Sequence, residues 1–243
     1  MKRFFLFSLT VSILFSCEKE AAVKDVLNNL TLTRRKMEAD GQSISVVSVT
    51  VSEETDSDRR SVIFNTDKGV FTTSGKSKET VKTEFVNGVL IARASLRAPL
   101  EPSTIKVSVQ PEYDSPIREY VLTDSITLAP SIPTAFTLET LRFGIGTNFS
   151  SEVRLIGNLR NASNRFVSRN NTVLFEDLLL NGAPAGGRFG RRQVLSNDTS
   201  RVSTFYAASI LPVGTTIKIR GTVLDANGRK TPVADSVLLT VNF

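Results

Sequence analysis

The chain has 243 residues, of which 40% are apolar, and a formal net charge of +6. It has no His, no Trp and a single Cys. That composition excludes a Ser-His-Asp or Cys-His catalytic site, His-ligated zinc or haem, and an intramolecular disulfide. The positive charge is uneven: residues 18–125 carry 15 Lys and Arg against 17 Asp and Glu, whereas residues 126–243 carry 13 against 7. The basic character therefore belongs to the C-terminal half.

Lys2 and Arg3 precede the mostly apolar stretch Phe4 to Phe15, which is too short to cross a ~30 Å hydrocarbon core as a helix and reads as the hydrophobic region of an export signal. The stretch ends in Leu14-Phe15-Ser16-Cys17. An aliphatic residue, then a small residue directly before Cys, resembles the lipobox of bacterial lipoproteins. The resemblance implies a signal peptide over residues 1–16, lipidation at Cys17 and a lipidated tether over residues 17–27. Two or more acyl chains would make the anchor stable, at ~0.8 kcal/mol per buried methylene. The charged Glu18-Lys19-Glu20 that follows resembles surface-export signals of Bacteroidetes lipoproteins. It implies an outer-membrane, lipid-anchored protein exposed at the cell surface. Ala21 to Asn29 reads as a short lead-in helix or a loose linker.

Strand patterns dominate from there. Ser43 to Val51 alternates β-branched and small polar residues, and Ser61 to Phe64, Val89 to Leu96, Thr104 to Val109 and Glu119 to Leu122 follow the same logic. Asn87-Gly88 is a type I′ hairpin signal, because both residues tolerate positive φ. The acidic stretch Glu53 to Arg60 offers hard oxygen ligands suited to calcium. It lacks the glycine and distal glutamate of an EF-hand loop, so it reads as a solvated hairpin tip.

The order Ala39-Asp40-Gly41-Gln42-Ser43, Val62-Ile63-Phe64, Gly69-Val70-Phe71 and Val86-Asn87-Gly88-Val89, with Ala92, Ala94 and Leu96 in the last strand, resembles the bacterial Ig-like modules of the invasin and intimin type. The resemblance covers roughly residues 28–126 and implies an Ig-like β-sandwich over residues 28–128.

Ala129-Pro130-Ser131-Ile132-Pro133 reads as an extended linker over residues 129–133. A second run of strands follows: Phe136 to Phe143, Glu152 to Ile156, Asn171 to Leu180, Ser203 to Ile210, Thr216 to Leu224 and Ser236 to Val241. Leu211-Pro212-Val213-Gly214-Thr215-Thr216 through Arg220, with the turn Asp225-Ala226-Asn227-Gly228, resembles fibronectin type III-like modules of Bacteroidetes surface proteins. The implied fold is all-β, with two tandem Ig-like or fibronectin type III-like sandwiches, the second over residues 134–243.

The candidate binding residues are arginines of the second half: Arg160, Arg165, Arg169, Arg188, Arg191 and Arg192. The last three lie in a Gly-rich stretch, Ala183 to Arg192, that must be mobile or tightly turned. Guanidinium groups bind phosphate and carboxylate in bidentate fashion, so a polyanion is the natural ligand class, although a solvated basic face has the same composition. The stretch lacks the Gly-Lys-Ser/Thr ending of a phosphate loop. Nucleic acid is disfavoured, since only Phe166 and Phe189 lie among the basic residues. Glu176 and Asp177 sit on one predicted strand and face opposite sides, which separates them as a carboxylate pair. Asp124-Ser125-Ile126 and Asp235-Ser236-Val237 resemble the Asp-Ser/Thr-aliphatic motif of Bacteroidetes O-glycosylation.

The expected function is a non-enzymatic, lipid-anchored envelope protein acting in adhesion, as a spacer or as an assembly partner. The alternative is binding of an anionic glycan or lipopolysaccharide by the basic second domain. No catalytic residue, metal ligand set or cofactor is expected. The partners are the membrane, through the anchor, and a protein or glycan at the envelope.

Overall fold

The computed structural model describes residues 26–53, 60–112 and 121–242. The signal segment, Cys17, most of the tether and positions 54–59 of the acidic hairpin lie outside the described residues. None of the described residues forms a helix long and apolar enough to cross a membrane.

Two sandwiches follow one another. In the first, one sheet contains β1 (Leu27–Leu32), β3 (Ile44–Val51), β8 (Val89–Arg97) and β5 (Val70–Phe71), in that order, with β7 (Glu84–Val86) also paired to β8. The facing sheet runs β2 (Lys36–Glu38), β10 (Leu122–Ala129), β9 (Thr104–Pro111), β4 (Ser61–Thr66) and β6 (Lys78–Lys82). In the second sandwich, one sheet is β11 (Ala135–Thr140), β13 (Val153–Arg160), β17 (Arg201–Ala207) and β15 (Arg188–Phe189). Its partner is β12 (Gly144–Gly146), β19 (Lys230–Asn242), β18 (Thr216–Leu224), β14 (Thr172–Leu179) and β16 (Gln193–Leu195). The two halves share one strand order. In each, a first strand pairs in one sheet, and a short second strand crosses to the other sheet and lies parallel to the last strand, β2 on β10 and β12 on β19.

The strands form where side chains alternate between core and solvent. Along β3 every second residue points inward, with Val47 and Val49 fully buried. The first core is built from residues 26–128, with Phe64 and Phe71 packed edge to face at 6.2 Å. The second is built from residues 136–241 around Phe175, Phe189 and Tyr206. Neither core borrows a buried side chain from the other half. Each fully buried Leu, Ile or Phe contributes ~1.5–3 kcal/mol.

Asn87 and Gly88 make the hairpin between β7 and β8 with φ of 52° and 79°, as the sequence pattern predicts. Other expectations shift. Val26 is buried and β1 begins at Leu27, so Leu27 to Asn29 of the stretch read as a lead-in helix or loose linker are strand. Of the strand expected over Glu119 to Leu122, Glu119 and Tyr120 lie outside the described residues, and β10 begins at Leu122, where cross-strand pairing to Val109 starts. The strand expected to reach Phe143 stops at Thr140, which leaves Leu141 and Phe143 exposed. The stretch expected as a linker begins inside β10, and its Ser131 is buried.

Phe136 shows how closely the second core is fitted. Its ring lies over Gly157 on β13 and Gly221 on β18, and a Cβ at Gly221 would sit 2.6 Å from the Phe136 ring. Gly221→Ala is therefore expected to lower stability by about 1–3 kcal/mol, measured by chemical denaturation, because the backbone on both sides of the ring is fixed by strand pairing.

Candidate functional site

The most elaborate polar construction in the molecule lies where the two sandwiches meet. It starts with the turn between β2 and β3. There the Asp40 carboxylate, 1% exposed, accepts the backbone N–H groups of Ser43 (2.6 Å) and Gln42 (2.9 Å) and the Ser43 hydroxyl (2.9 Å). Gly41 supplies the positive φ of 68° that the turn requires. From the second sandwich, Arg165 reaches across to Asp40 and to the Ser43 hydroxyl, each at 3.4 Å. Burial acts to raise the Asp40 carboxyl, but the hydrogen bonds from Ser43, Gln42 and Arg165 outweigh it and hold the group below its ordinary range.

Ser131, between the two prolines, is fixed from every side. Its N–H donates to Ser168 Oγ at 2.9 Å, its carbonyl accepts from the Ser168 N–H at 3.0 Å, and its hydroxyl lies 3.1 Å from the Phe166 carbonyl. Asn161 donates to Ser131 Oγ at 3.0 Å and to Glu38 Oε2 at 2.9 Å, which bridges the sandwiches. Ser168 donates its hydroxyl proton to the Ala39 carbonyl at 3.0 Å, and the Arg169 N–H donates to the Leu100 carbonyl at 3.0 Å. A cleft of about 450 Å3, lined by Arg34, Lys36, Glu38, Asp40, Ser163 and Arg165, opens beside this network.

The six arginines singled out in the sequence do not form one patch. Arg165 and Arg169 belong to the junction, and Arg169 is held by Asp198 at 2.7 Å and by Glu101 of the first sandwich at 2.9 Å. Arg160 stacks on the Phe166 ring at 5.0 Å. Arg188 lies near the start of β13, 3.9 Å from Glu152, eight residues from Arg160 along that strand's register or roughly 26 Å at ~3.3 Å per residue. Arg191 and Arg192 are exposed, and Arg192 lies 3.7 Å from the buried Asp177.

The Gly-rich stretch is tightly turned. Gly186 takes φ of 73°, and the Gly187 N–H donates to Asp177 Oδ2 at 2.6 Å. The Tyr206 hydroxyl donates to the same oxygen at 3.1 Å. Burial, and then the Asp177 charge and hydrogen bond, push the Tyr206 hydroxyl well above its ordinary value. Glu176 points the other way and pairs with Lys230 at 2.6 Å. Among the motif residues, Ser125 is exposed beside Asp124, which pairs with Arg35 at 2.6 Å, and Ser236 is half-buried. An open groove of about 870 Å3 on this sheet face is lined by Asn65, Asp67, Lys106, Ser108, Thr123 and Ser125, with none of the aromatic platforms that stack sugars. Among the described residues, no three His, Cys, Asp or Glu side chains converge as metal ligands.

The junction residues Glu38, Asn161, Ser131 and Ser168 escape sequence reasoning. Only Ser131 carries a sequence signal, its place between Pro130 and Pro133.

The chain is similar to solved structures. Invasin, described as a bacterial integrin-binding protein, is 16% identical with a TM-score of 0.61, over 88% of this chain and 39% of that one. The Yersinia pseudotuberculosis adhesin InvE is 17% identical with a TM-score of 0.48, over 90% of this chain and 61% of that one. The chain thus spans about two fifths of the invasin structure and three fifths of the InvE structure. At this identity the invasin likeness is one of fold, and it bears out the Ig-like sandwich expected from the sequence. No family model and no curated protein matches the chain.

Two outcomes are expected from the junction. Arg165→Ala combined with Ser168→Ala should widen the distribution of inter-sandwich distances in small-angle scattering without unfolding either core. A wild-type-like scattering curve would show that the network does not set the geometry. Asp40 titrates below its unfolded value of 3.8, so its contribution is complete above that value and vanishes as pH falls through the lower folded value. Asp40→Asn should therefore flatten the loss of stability between about pH 5 and pH 2, followed by urea denaturation.

Proposed function

We propose that the protein is a non-enzymatic, lipid-anchored envelope component whose two sandwiches form a stiff stalk, acting in adhesion or as a spacer. The observation that carries this reading is the junction. A flexible tether between modules would leave polar side chains in water, whereas here Ser131, Asn161 and Ser168 are buried and joined through Ser131, and the buried Asp40 is met by Arg165 of the other sandwich. Strand register then separates the ends. Leu27 pairs with Val51, at the end of the first sandwich away from the junction, while Leu141, Leu180 and Ile210 lie in loops at the far end of the second. An anchor at Cys17 would hold the first end and present the second at a distance from the membrane. The lipobox pattern supports the anchor, the charged residues after it support outer-membrane surface display, and the fold shared with invasin supports a surface role. The anionic-glycan alternative draws less support, because Arg160, Arg165 and Arg169 are occupied by contacts within the protein.

The test is protease shaving of intact cells that express the full chain, with Cys17→Ala alongside. Surface digestion of the wild type, together with loss of membrane retention in the variant, is the expected result. Retention of the Cys17→Ala protein in the membrane after carbonate extraction would remove the lipid-anchor reading.

A further inference from the structure

The loop end of the second sandwich, opposite the junction, displays large apolar side chains that the core does not use. Leu141, Ile210, Leu180 and Phe143 are 85%, 78%, 73% and 65% exposed, and Val213 and Phe149 stand beside them. They come from separate loops that are tied into one platform. The Asn148 and Phe149 N–H groups donate to the Ser209 and Ala208 carbonyls at 3.1 and 2.8 Å, Ser209 Oγ donates to the Ala185 carbonyl at 2.6 Å, and the Thr240 N–H donates to the Phe143 carbonyl at 2.7 Å. Asn148 and Phe149 both take φ of 55°, a left-handed conformation that a bulky residue adopts only when its surroundings impose it. Its effect is to hold the Phe149 ring outward, with the Arg188 guanidinium 5.8 Å from its centroid.

Cations are in excess around this end. On these loops or within two strand residues of them lie Arg142, Arg154 and Arg188, against Glu139 and Glu152. Among the described residues, the one partner within ion-pair range of Arg188 is Glu152 at 3.9 Å, and both side chains are largely solvated. The composition decides between two kinds of partner. Protein interfaces concentrate their energy in Trp, Tyr and Arg seated in pockets, and Leu and Val are under-represented there. Lipid interfaces take projecting Leu, Ile, Val and Phe with a collar of Lys and Arg, and they need no complementary pocket. A second copy of this end would bring like charge against like charge.

We propose that this loop end docks on an anionic lipid surface, inserting Leu141, Phe143, Leu180 and Ile210 at the headgroup boundary with Arg142 and Arg188 on lipid phosphates. It lies at the opposite end of the molecule from Leu27, so the bilayer it meets is a second surface rather than the one that would hold the anchor. The inference does not require lipidation at Cys17.

Residues 18–243 contain both cores in full and serve as the unlipidated test protein. Its co-sedimentation is measured with vesicles of phosphatidylcholine containing roughly a quarter phosphatidylglycerol, and with phosphatidylcholine alone. Binding to the anionic vesicles is expected, weakened by salt. It should fall about tenfold or more in L141S/I210S. R142A/R188A should also weaken it, whereas F85S, which removes an exposed Phe at the other end, should not. Unchanged melting temperatures confirm that the variants fold. Absence of vesicle binding, equal binding to neutral vesicles, or equal loss in F85S would each overturn the proposal. Capture by an acidic protein surface without vesicle binding would replace the lipid with a protein partner. Because no acyl chain is present, any of these failures leaves the anchored-stalk reading standing.

Discussion

Asp40 is a charge buried almost completely in a chain whose halves have independent cores, and the relation between those halves depends on how that charge is satisfied. A lone buried carboxylate would cost several kcal/mol, so the turn that carries it must saturate its oxygens. Ser43 and Gln42 do so from within the first sandwich, and Arg165 completes the set from the second. Ser131 and Ser168 repeat the logic with backbone groups, exchanging two N–H bonds across the join. Such a network is worth more when complete than the sum of its parts, because each unpaired member would be left desolvated. The prolines at 130 and 133 restrict the backbone between the sandwiches, which lowers the entropy lost when the junction forms.

The shared strand order of the halves explains how one construction serves twice. Crossing β2 and β12 to the opposite sheet closes each sandwich beside its last strand. The residues at the crossings differ. In the first sandwich the crossing leads into the Asp40 turn and so into the junction. In the second it leads through Gly144 and Gly146 into the loops around Phe149, where a Cβ on either glycine would collide with Asn242 or Ser150. One topology therefore places a polar, pairing surface at one end of the molecule and an apolar, unpaired surface at the other.

Elements with strong local patterns are legible in the sequence. β3 and β8 follow from alternation, the Asn87-Gly88 hairpin from its φ requirement, and β18 from the run Thr216 to Leu224. Strands of two or three residues, such as β5, β12, β15 and β16, carry no period and exist only because a neighbouring strand offers an edge. The repeat is equally hidden, because it is conserved in strand order and not in residues. The Ala39-Asp40-Gly41-Gln42-Ser43 motif is recognisable as part of an Ig-like module, but its role at the junction depends on Arg165, 125 residues away. Long-range polar pairing leaves no local trace.

The arginines carry the same lesson into electrostatics. Counted along the chain, the second half is basic enough to suggest a polyanion surface. In the fold, Arg169 is neutralised by a bidentate contact to Asp198 and by Glu101, Arg165 by a carboxylate of the other sandwich, and Arg160 lies against a ring. These guanidiniums are spent on cohesion, which leaves exposed cations such as Arg142, Arg188 and Arg191 to face a partner. Beyond a Debye length of about 8 Å at physiological salt, the junction arginines add little to the field at the far loops. Recognition at those loops then has to combine a modest local charge with apolar area, and those are the two properties that the loops around Phe149 and Ile210 present together.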